Sequence, residues 1–547
     1  MILRFCSKLL KIVLMRRLPA AAAAAVAVVV MATLPPGAFA QSSNLGQIYF
    51  PTSGSPEAQA HFLQGALLLH SFEFDDAGEE FQKASQIDPG FALAYWGESL
   101  THHKLLWRLH DQKAGQAALE KLGTSAEGRL AKAPTNREKG YLRAVEALFF
   151  GKGDKTARSQ AYSDAMGQLS RQFPDDLEAA SFYAVAILGT TDGERDFRTY
   201  MRAAGIAEEV FAKNPRHPGA VHYLIHSYDD PVHAPLGLRA ARVYAKIAPA
   251  AAHALHMPSH IFVALGMWRE TAASNVDSWA AADARVKRKG LTIKDRSYHA
   301  LWWLHYTYLQ QGRYREAEKQ LQIMEEDVAQ LSLPITRRHM AAMRAAHVIE
   351  TRQWDTAARA ADLDLSGING EQALAHWFAS GMAAAKKGDI RGAREALAAL
   401  QKMTAETAKA YGSQQQAGKA MELQLRSLIA LADGEKGKAV ELMKQAAAAE
   451  DKMPLSYGPP SPVKPSHELF GELLLEVNRA AEARAEFERA LERAPRRALS
   501  LLGLARAAAK AGDAAASMKA YGELQDVWSQ ADEDLPELKE IAGTTSD

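Results

Sequence analysis

Cysteine is all but missing from this chain of 547 residues: Cys6 is the only one. No intramolecular disulfide can form, and a bound metal has to be held by imidazole, carboxylate or water rather than by thiolate. A charge excess is missing too, with 65 basic against 64 acidic residues, which removes the electrostatic basis for a nucleic-acid partner. No window alternates polar and apolar residues long enough to predict a sizeable sheet. G-x-x-x-x-G-K-[ST], G-x-G-x-x-G after a strand, G-x-S-x-G, C-x-x-C-H and H-E-x-x-H are all absent. Nucleotide, dinucleotide, serine-hydrolase, covalent-haem and ordinary zincin chemistry lose support accordingly.

What is present begins with an export signal. Arg4, Lys8, Lys11, Arg16 and Arg17 precede the apolar run from Leu18 to Leu34, and Ala38-Phe39-Ala40 follows. That order of positive, apolar and A-x-A segments predicts cleavage after Ala40 and a periplasmic or secreted protein. No stable membrane span is expected once residues 1–40 are removed, because the run is short and Ala-rich. The remaining chain carries 60 basic and 64 acidic residues, a net charge of −4. With 48% hydrophobic residues overall, its stability has to come from apolar packing.

A repeat runs through the rest. Starting from Ala58, it places Gly65, Ala77, Phe81, Ala84 and Pro89; starting from Lys464, it places Gly471, Ala483, Phe487, Ala490 and Pro495 at the same offsets. Looser copies hold Gly312 with Ala317, Trp354 with Ala357, Gly388 with Ala393, and Gly434 with Ala439, and further units start near Ala92, Leu177, Pro218, Ala252, Tyr298 and Ala498. These residues resemble the tetratricopeptide repeat, a 34-residue helix-turn-helix unit in which small residues let two helices approach and proline closes the second. The resemblance covers most of residues 57–530. It implies an all-α, right-handed superhelical solenoid whose first helices line a concave groove, and a protein or peptide partner in that groove. The expected divisions are an extended segment 41–56, N-terminal repeats 57–285, central repeats 298–449, a Pro- and Ser-rich linker or lid 450–465, C-terminal repeats 466–530 and a solvated acidic tail 531–547. Interruptions of the period are expected near 108–135, 151–160, 190–197 and 286–297 as loops.

The middle of the chain departs from a plain repeat. His222 and His226, and again His256 and His260, have the i, i+4 spacing that puts two rings on one helix face. The two pairs lie 34 residues apart, and seven of the eighteen histidines fall within the 44 residues from His217 to His260. In the resemblance's frame both pairs look into the groove, as do His253, Asp229 and Asp230. Helix axes about 8 to 10 Å apart bring four such imidazoles within reach of one ion. That predicts a transition-metal site of His222, His226, His256 and His260, with His253, His103, His299, Asp229 and Asp230 as support or alternates. Copper or zinc suits an imidazole-rich site in an exported protein, ahead of iron or nickel. The same frame places Trp96, Trp302, Tyr306 and His70 along the groove as ligand-facing residues, an aromatic wall beside the histidines.

Three functions fit this pattern: a metal-binding module, a metal-dependent enzyme using the same site, and a metal-free scaffold that gathers envelope proteins. A duplicated packing histidine would produce the same periodicity. The isolated His61, His110, His339, His347, His376 and His467 read as surface or packing residues, and Tyr95 and Trp107 as core.

Overall fold

The computed structural model describes residues 40–544, except 43, 192–194, 357–362, 369, 408–411 and 456. The expected signal segment and Ala357 lie outside the described residues. The described chain is a succession of antiparallel helix pairs, an all-α helical-repeat solenoid. Helices begin at Ala92, Leu177, Pro218, Ala252, Tyr298 and Ala498, where the repeat frame starts its units. Local chemistry sets these starts. Ser55 caps Pro56–His70, which has proline in its first turn, and Asp176 caps Leu177–Leu188 by accepting from the backbone N–H groups of Glu178 and Ala179.

The repeat signature works through one ring packed between two glycines. Phe81, fully buried, lies between Gly65 of its own unit and Gly97 of the next; a Cβ added to these glycines would sit 2.9 and 2.4 Å from ring carbons. Phe487 repeats the arrangement with Gly471 and Gly503, at 2.7 and 2.2 Å.

The solenoid winds tightly enough that distant units touch. The strands Ala40–Ser42 and Gly46–Ile48 form a small antiparallel hairpin, and the Gln47 and Ala250 N–H groups donate to the Arg216 and Asn44 carbonyls, both at 3.0 Å. Pro56–His70 thereby packs against Pro218–Ser227. Further along, Trp268 Nε1 donates to the Arg496 carbonyl at 2.9 Å, and Trp528 Nε1 to that of Gln310 at 3.1 Å. Arg497, wholly buried, donates to Tyr306 Oη and Glu468, both at 2.7 Å.

Three stretches differ from expectation. Residues 108–135 contain the short helices Gln112–Glu120 and Ala126–Ala131, and Lys155–Gln172 starts inside the expected 151–160 loop. The acidic tail is not simply solvated: Pro536–Thr544 is helical, with Ile541 buried and Glu537 paired to Arg352. Charge content alone hid the apolar side of that helix. Among the described residues no helix is long and apolar enough to cross a membrane.

Because the Phe487 ring fills the space against Gly503, Gly503→Ala is expected to lower stability by about 1 to 3 kcal/mol through overpacking. The urea midpoint of the purified chain checks this, and an unchanged midpoint would contradict the two-glycine packing.

Candidate metal centre

His222 and His226 stand on Pro218–Ser227. The next unit is broken in two, Ala252–His256 and Pro258–Ala264, because Pro258 lacks the N–H that would continue one helix. Met257 between the two pieces keeps right-handed helical angles; His253 and His256 stand on the first piece and His260 on the second. His299 projects from the first turn of Tyr298–Gln310.

The histidines therefore form two triads and not one four-ligand site. The first is His222, His226 and His253; the second is His256, His260 and His299. Within each, one donor atom per residue lies within 4.8 Å of the other two. The triads are neighbours, with the His226 and His260 ring centroids 5.9 Å apart and those of His253 and His256 6.1 Å apart. The four expected ligands are thus divided between two groups, and His253 and His299, expected as support or alternates, complete them.

Hydrogen bonds outside the triads decide which nitrogens face inward. His256 Nδ1–H donates to Asn275 Oδ1 at 2.7 Å, and the Asn275 amide N–H is committed to the Thr271 carbonyl at 2.9 Å. His260 Nδ1–H donates to Asp229 Oδ2 at 2.5 Å. In the neutral form both rings present an Nε2 lone pair inward, and the two Nε2 atoms are 3.1 Å apart. In the first triad His222 Nδ1–H donates to the His70 carbonyl at 2.7 Å. Its single Nε2 lone pair then faces both His226 Nε2 at 3.1 Å and His253 Nε2 at 3.2 Å.

Protonation is not the remedy. Burial, and then the neighbouring imidazoles, push His222, His226, His253 and His299 well below the usual histidine value and His256 down to about 3. Those five rings favour the neutral form, the one that binds metal. An ion with nitrogen ligands at ~2.0 to 2.1 Å spaces adjacent donors by ~2.9 to 3.4 Å, and the observed 3.1 and 3.2 Å fall within that range. Each triad rests on a buried aromatic ring. Phe72 covers the first, 4.3 Å from His222, and Trp303 the second, 4.4 Å from His260. Phe72 holds φ at 57°, where a bulky residue is strained and glycine would not be.

A cavity of about 580 Å³ opens over both triads. His226, His253, His256, His260 and His299 line it, with Asp229 at its wall. Asp229 is buried, and its Oδ1 has no hydrogen-bond partner among the described residues. From the 450–465 loop, Tyr457 leans over His260, ring centroids 5.6 Å apart.

Other expected site residues lie elsewhere. Asp230 is fully buried but committed to Arg195 and His233, and it caps the turn at Val232 and His233, so it orients no imidazole of either triad. His103 sits on a separate hairpin, its Nδ1 3.0 Å from His110 Nδ1. Trp96 is enclosed by Phe50, Tyr141 and Phe182 and reaches no groove. Tyr306 is buried under Arg497, and with Trp302 it borders a small cavity sealed by Pro459 and Pro460. The frame gives directions inward correctly enough, but the tight winding fills the interior that those residues were expected to border.

His70 is also wholly enclosed, in a third cluster with Glu178 and His217. Here every contact has a proton. His217 Nδ1 accepts from the Ala220 N–H at 3.1 Å, which leaves His217 Nε2–H to donate to Glu178 at 3.1 Å, and His70 Nε2–H donates to Glu178 at 2.7 Å. Tyr223 Oη–H donates to His70 Nδ1 at 2.9 Å. Burial alone would raise the Glu178 carboxyl, but His217 and His70 together hold it down to about 2. This cluster is a satisfied structural network, and it locates the His70 carbonyl that orients His222. Gly219 permits the approach, since a Cβ there would lie 2.3 Å from His70 Nδ1.

The pair of units starting at Pro218 and Ala252, 34 residues apart, and the Gly–Phe–Gly packing of the end repeats settle the architecture. It is an all-α helical-repeat solenoid. No family model matches the chain, and no curated protein matches it. Among solved structures it is similar to a tetratricopeptide repeat protein from Parabacteroides merdae, at 13% identity and a TM-score of 0.31, over 54% of this chain and 99% of that one. It is also similar to yeast Tom70, at 12% identity and 0.29, over 90% and 96%. A third likeness is to the APC/C hetero-tetramer Cut9-Hcn1, at 10% and 0.26, over 90% and 96%. At these TM-scores the likenesses carry no further conclusion.

Glu178→Gln removes the charge that His70 and His217 satisfy, and the expected cost is about 2 to 3 kcal/mol, seen as a lower urea midpoint. His103 supplies a pH test. Burial, then His110, drives it down from 6.5 to about 3, so below 6.5 the unfolded chain binds a proton that the folded chain refuses. Stability from this residue is intact above that pH and falls toward pH 3, by up to about 1.4 kcal/mol per pH unit. His103→Gln should flatten the acid limb of a stability-against-pH curve by one proton; an unaltered slope would contradict the burial argument.

Proposed function

We propose that the chain is an exported protein whose solenoid carries a two-ion transition-metal centre, one ion in each histidine triad. The observation that carries this reading is the pair of Nε2 lone pairs of His256 and His260, 3.1 Å apart, whose outer N–H groups are both committed elsewhere. Two inward lone pairs at that separation suit a metal cation between them, and the depressed basicity of His256 keeps a proton off its own Nε2. Buried Asp229 Oδ1, without a hydrogen-bond partner among the described residues, adds an oxygen donor next to the second triad. All-imidazole donor sets suit copper, then zinc.

Three protein ligands per ion leave coordination positions open, the arrangement of catalytic rather than closed structural sites, and here they face the 580 Å³ cavity. The proposed role is therefore enzymatic. The ions would supply Lewis-acid or redox chemistry at the cavity wall. The chain's own residues do the rest: Asn275, Asp229 and the His70 carbonyl fix ring orientation and tautomer, and Phe72 and Trp303 exclude water from beneath the rings.

A second reading, a protein-binding role, is favoured by a separate surface. Phe197, Val232 and Leu236 are all exposed around His233, and clustered exposed apolar side chains mark interaction surfaces.

Elemental analysis of the purified chain after copper loading is expected to give about two ions per chain. Replacing His222, His226 and His253 by Gln should remove one, and replacing His256, His260 and His299 the other, with helical content held by circular dichroism. Metal content indifferent to both triple substitutions would sink the proposal.

A further inference from the structure

The cavity over the triads has walls of a particular kind. Phe72 and Phe74 are stacked, centroids 5.2 Å apart, and Trp107 meets both edge-on at 6.0 and 5.2 Å. Trp107 also stands over His253 of the first triad at 5.7 Å, as Tyr457 stands over His260 of the second. These two rings contrast with the other aromatic rings on the triads. Phe72 and Trp303 are buried at 5% and 1% exposure, whereas Trp107 and Tyr457 are 44% and 57% exposed. Large aromatic faces left open at a cavity wall are apolar surface that a ligand would cover.

Both rings are deliberately placed. Trp107 lies at the tip of the hairpin His103–Lys104 and Leu109–His110, which turns through Arg108 at φ 57°, and the Lys104 ammonium sits 5.8 Å over the indole. Tyr457 is brought in by Gly458, where a Cβ would lie 2.3 Å from Trp303 Cζ2; only glycine lets the loop come so close. At the same wall the exposed side chains of Arg108 and Lys294 give the mouth cationic character.

We infer that the ligand of this cavity is a phenolic ring. The inference rests on the two-ion reading and extends it to the class of molecule bound. A phenolic oxygen is a donor for the open coordination positions. Its ring lies against the uncovered faces of Trp107 and Tyr457, and its anionic form or an acidic substituent meets Arg108 and Lys294. Aliphatic alcohols share the oxygen but leave both aromatic faces uncovered. A free small phenol and a tyrosyl side chain of a peptide present the same chemistry, and 580 Å³ accommodates either.

The test uses the full chain loaded with copper and titrated with 4-nitrocatechol, followed by absorbance, with copper content measured on the same samples. Saturable binding is expected, weakened by about tenfold in Trp107→Ala and in Tyr457→Ala while both ions are retained. Cyclohexane-1,2-diol should not compete. Displacement by a tyrosine-containing peptide assigns the ring to a protein source, and displacement by small phenols alone assigns it to a free one; both support the inference. Two retained ions without saturable binding, affinity in both variants equal to that of the unsubstituted chain, or competition by the saturated diol would overturn it and leave the two-ion reading standing. A chain that holds no copper overturns the two-ion reading and this inference with it.

Discussion

The site depends on where three imidazole protons go. Nδ1–H groups of His222, His256 and His260 are drawn outward by a backbone carbonyl, an amide oxygen and a carboxylate, and the depressed basicity of His256 keeps a second proton off it. The inward nitrogens are then obliged to face one another as bases. Folding energy from the surrounding solenoid has to hold that arrangement, because lone pairs pressed together contribute no stability themselves. The outer acceptors come from three different places in the chain: the end of the first repeat, the turn after Ser227, and the helix Trp268–Lys289.

Such positioning is possible because the solenoid does not stay open. The N-terminal hairpin and first helix return onto the unit at Pro218, and the Glu178 network locks His70 in place with every proton assigned. The comparison between the Glu178 cluster and the triads is instructive. All three are groups of three ligand-type residues, the Glu178 cluster wholly buried and each triad partly so, yet only the triads turn ring nitrogens toward one another without an acceptor between them. Proximity of histidines is a weak criterion, and proton assignment separates a satisfied structural network from a candidate metal centre.

Much of the fold was legible in the sequence, and the reason is the repeat. A unit that packs one phenylalanine between two glycines cannot vary those positions freely, so Phe81 and Phe487 and their partner glycines stand out, and helix starts at Pro218, Ala252 and Ala498 follow. The histidine region was legible as a region. The i, i+4 pairs His222–His226 and His256–His260 do meet, but which further rings join each pair depends on how neighbouring helices pack, which spacing along one helix does not give. His253 and His299, expected as support or alternates, stand in the triads, whereas Asn275 and the His70 carbonyl carry no motif at all. Trp96 and His70 were misplaced because a repeat frame gives the direction of a side chain but not what fills the space in front of it. The short helices within 108–135 and at Pro536–Thr544 escaped notice because neither keeps the 34-residue period.

The five-residue helix Ala252–His256 contributes His253 to one triad and His256 to the other. It is anchored on one side by the His253 N–H donating to Glu73 at 3.0 Å and on the other by Asn275. The two triads consequently share one short strut: under the proposed two-ion reading, a tilt that widens one triad would displace a donor of its neighbour in the same stroke, coupling the two occupancies mechanically.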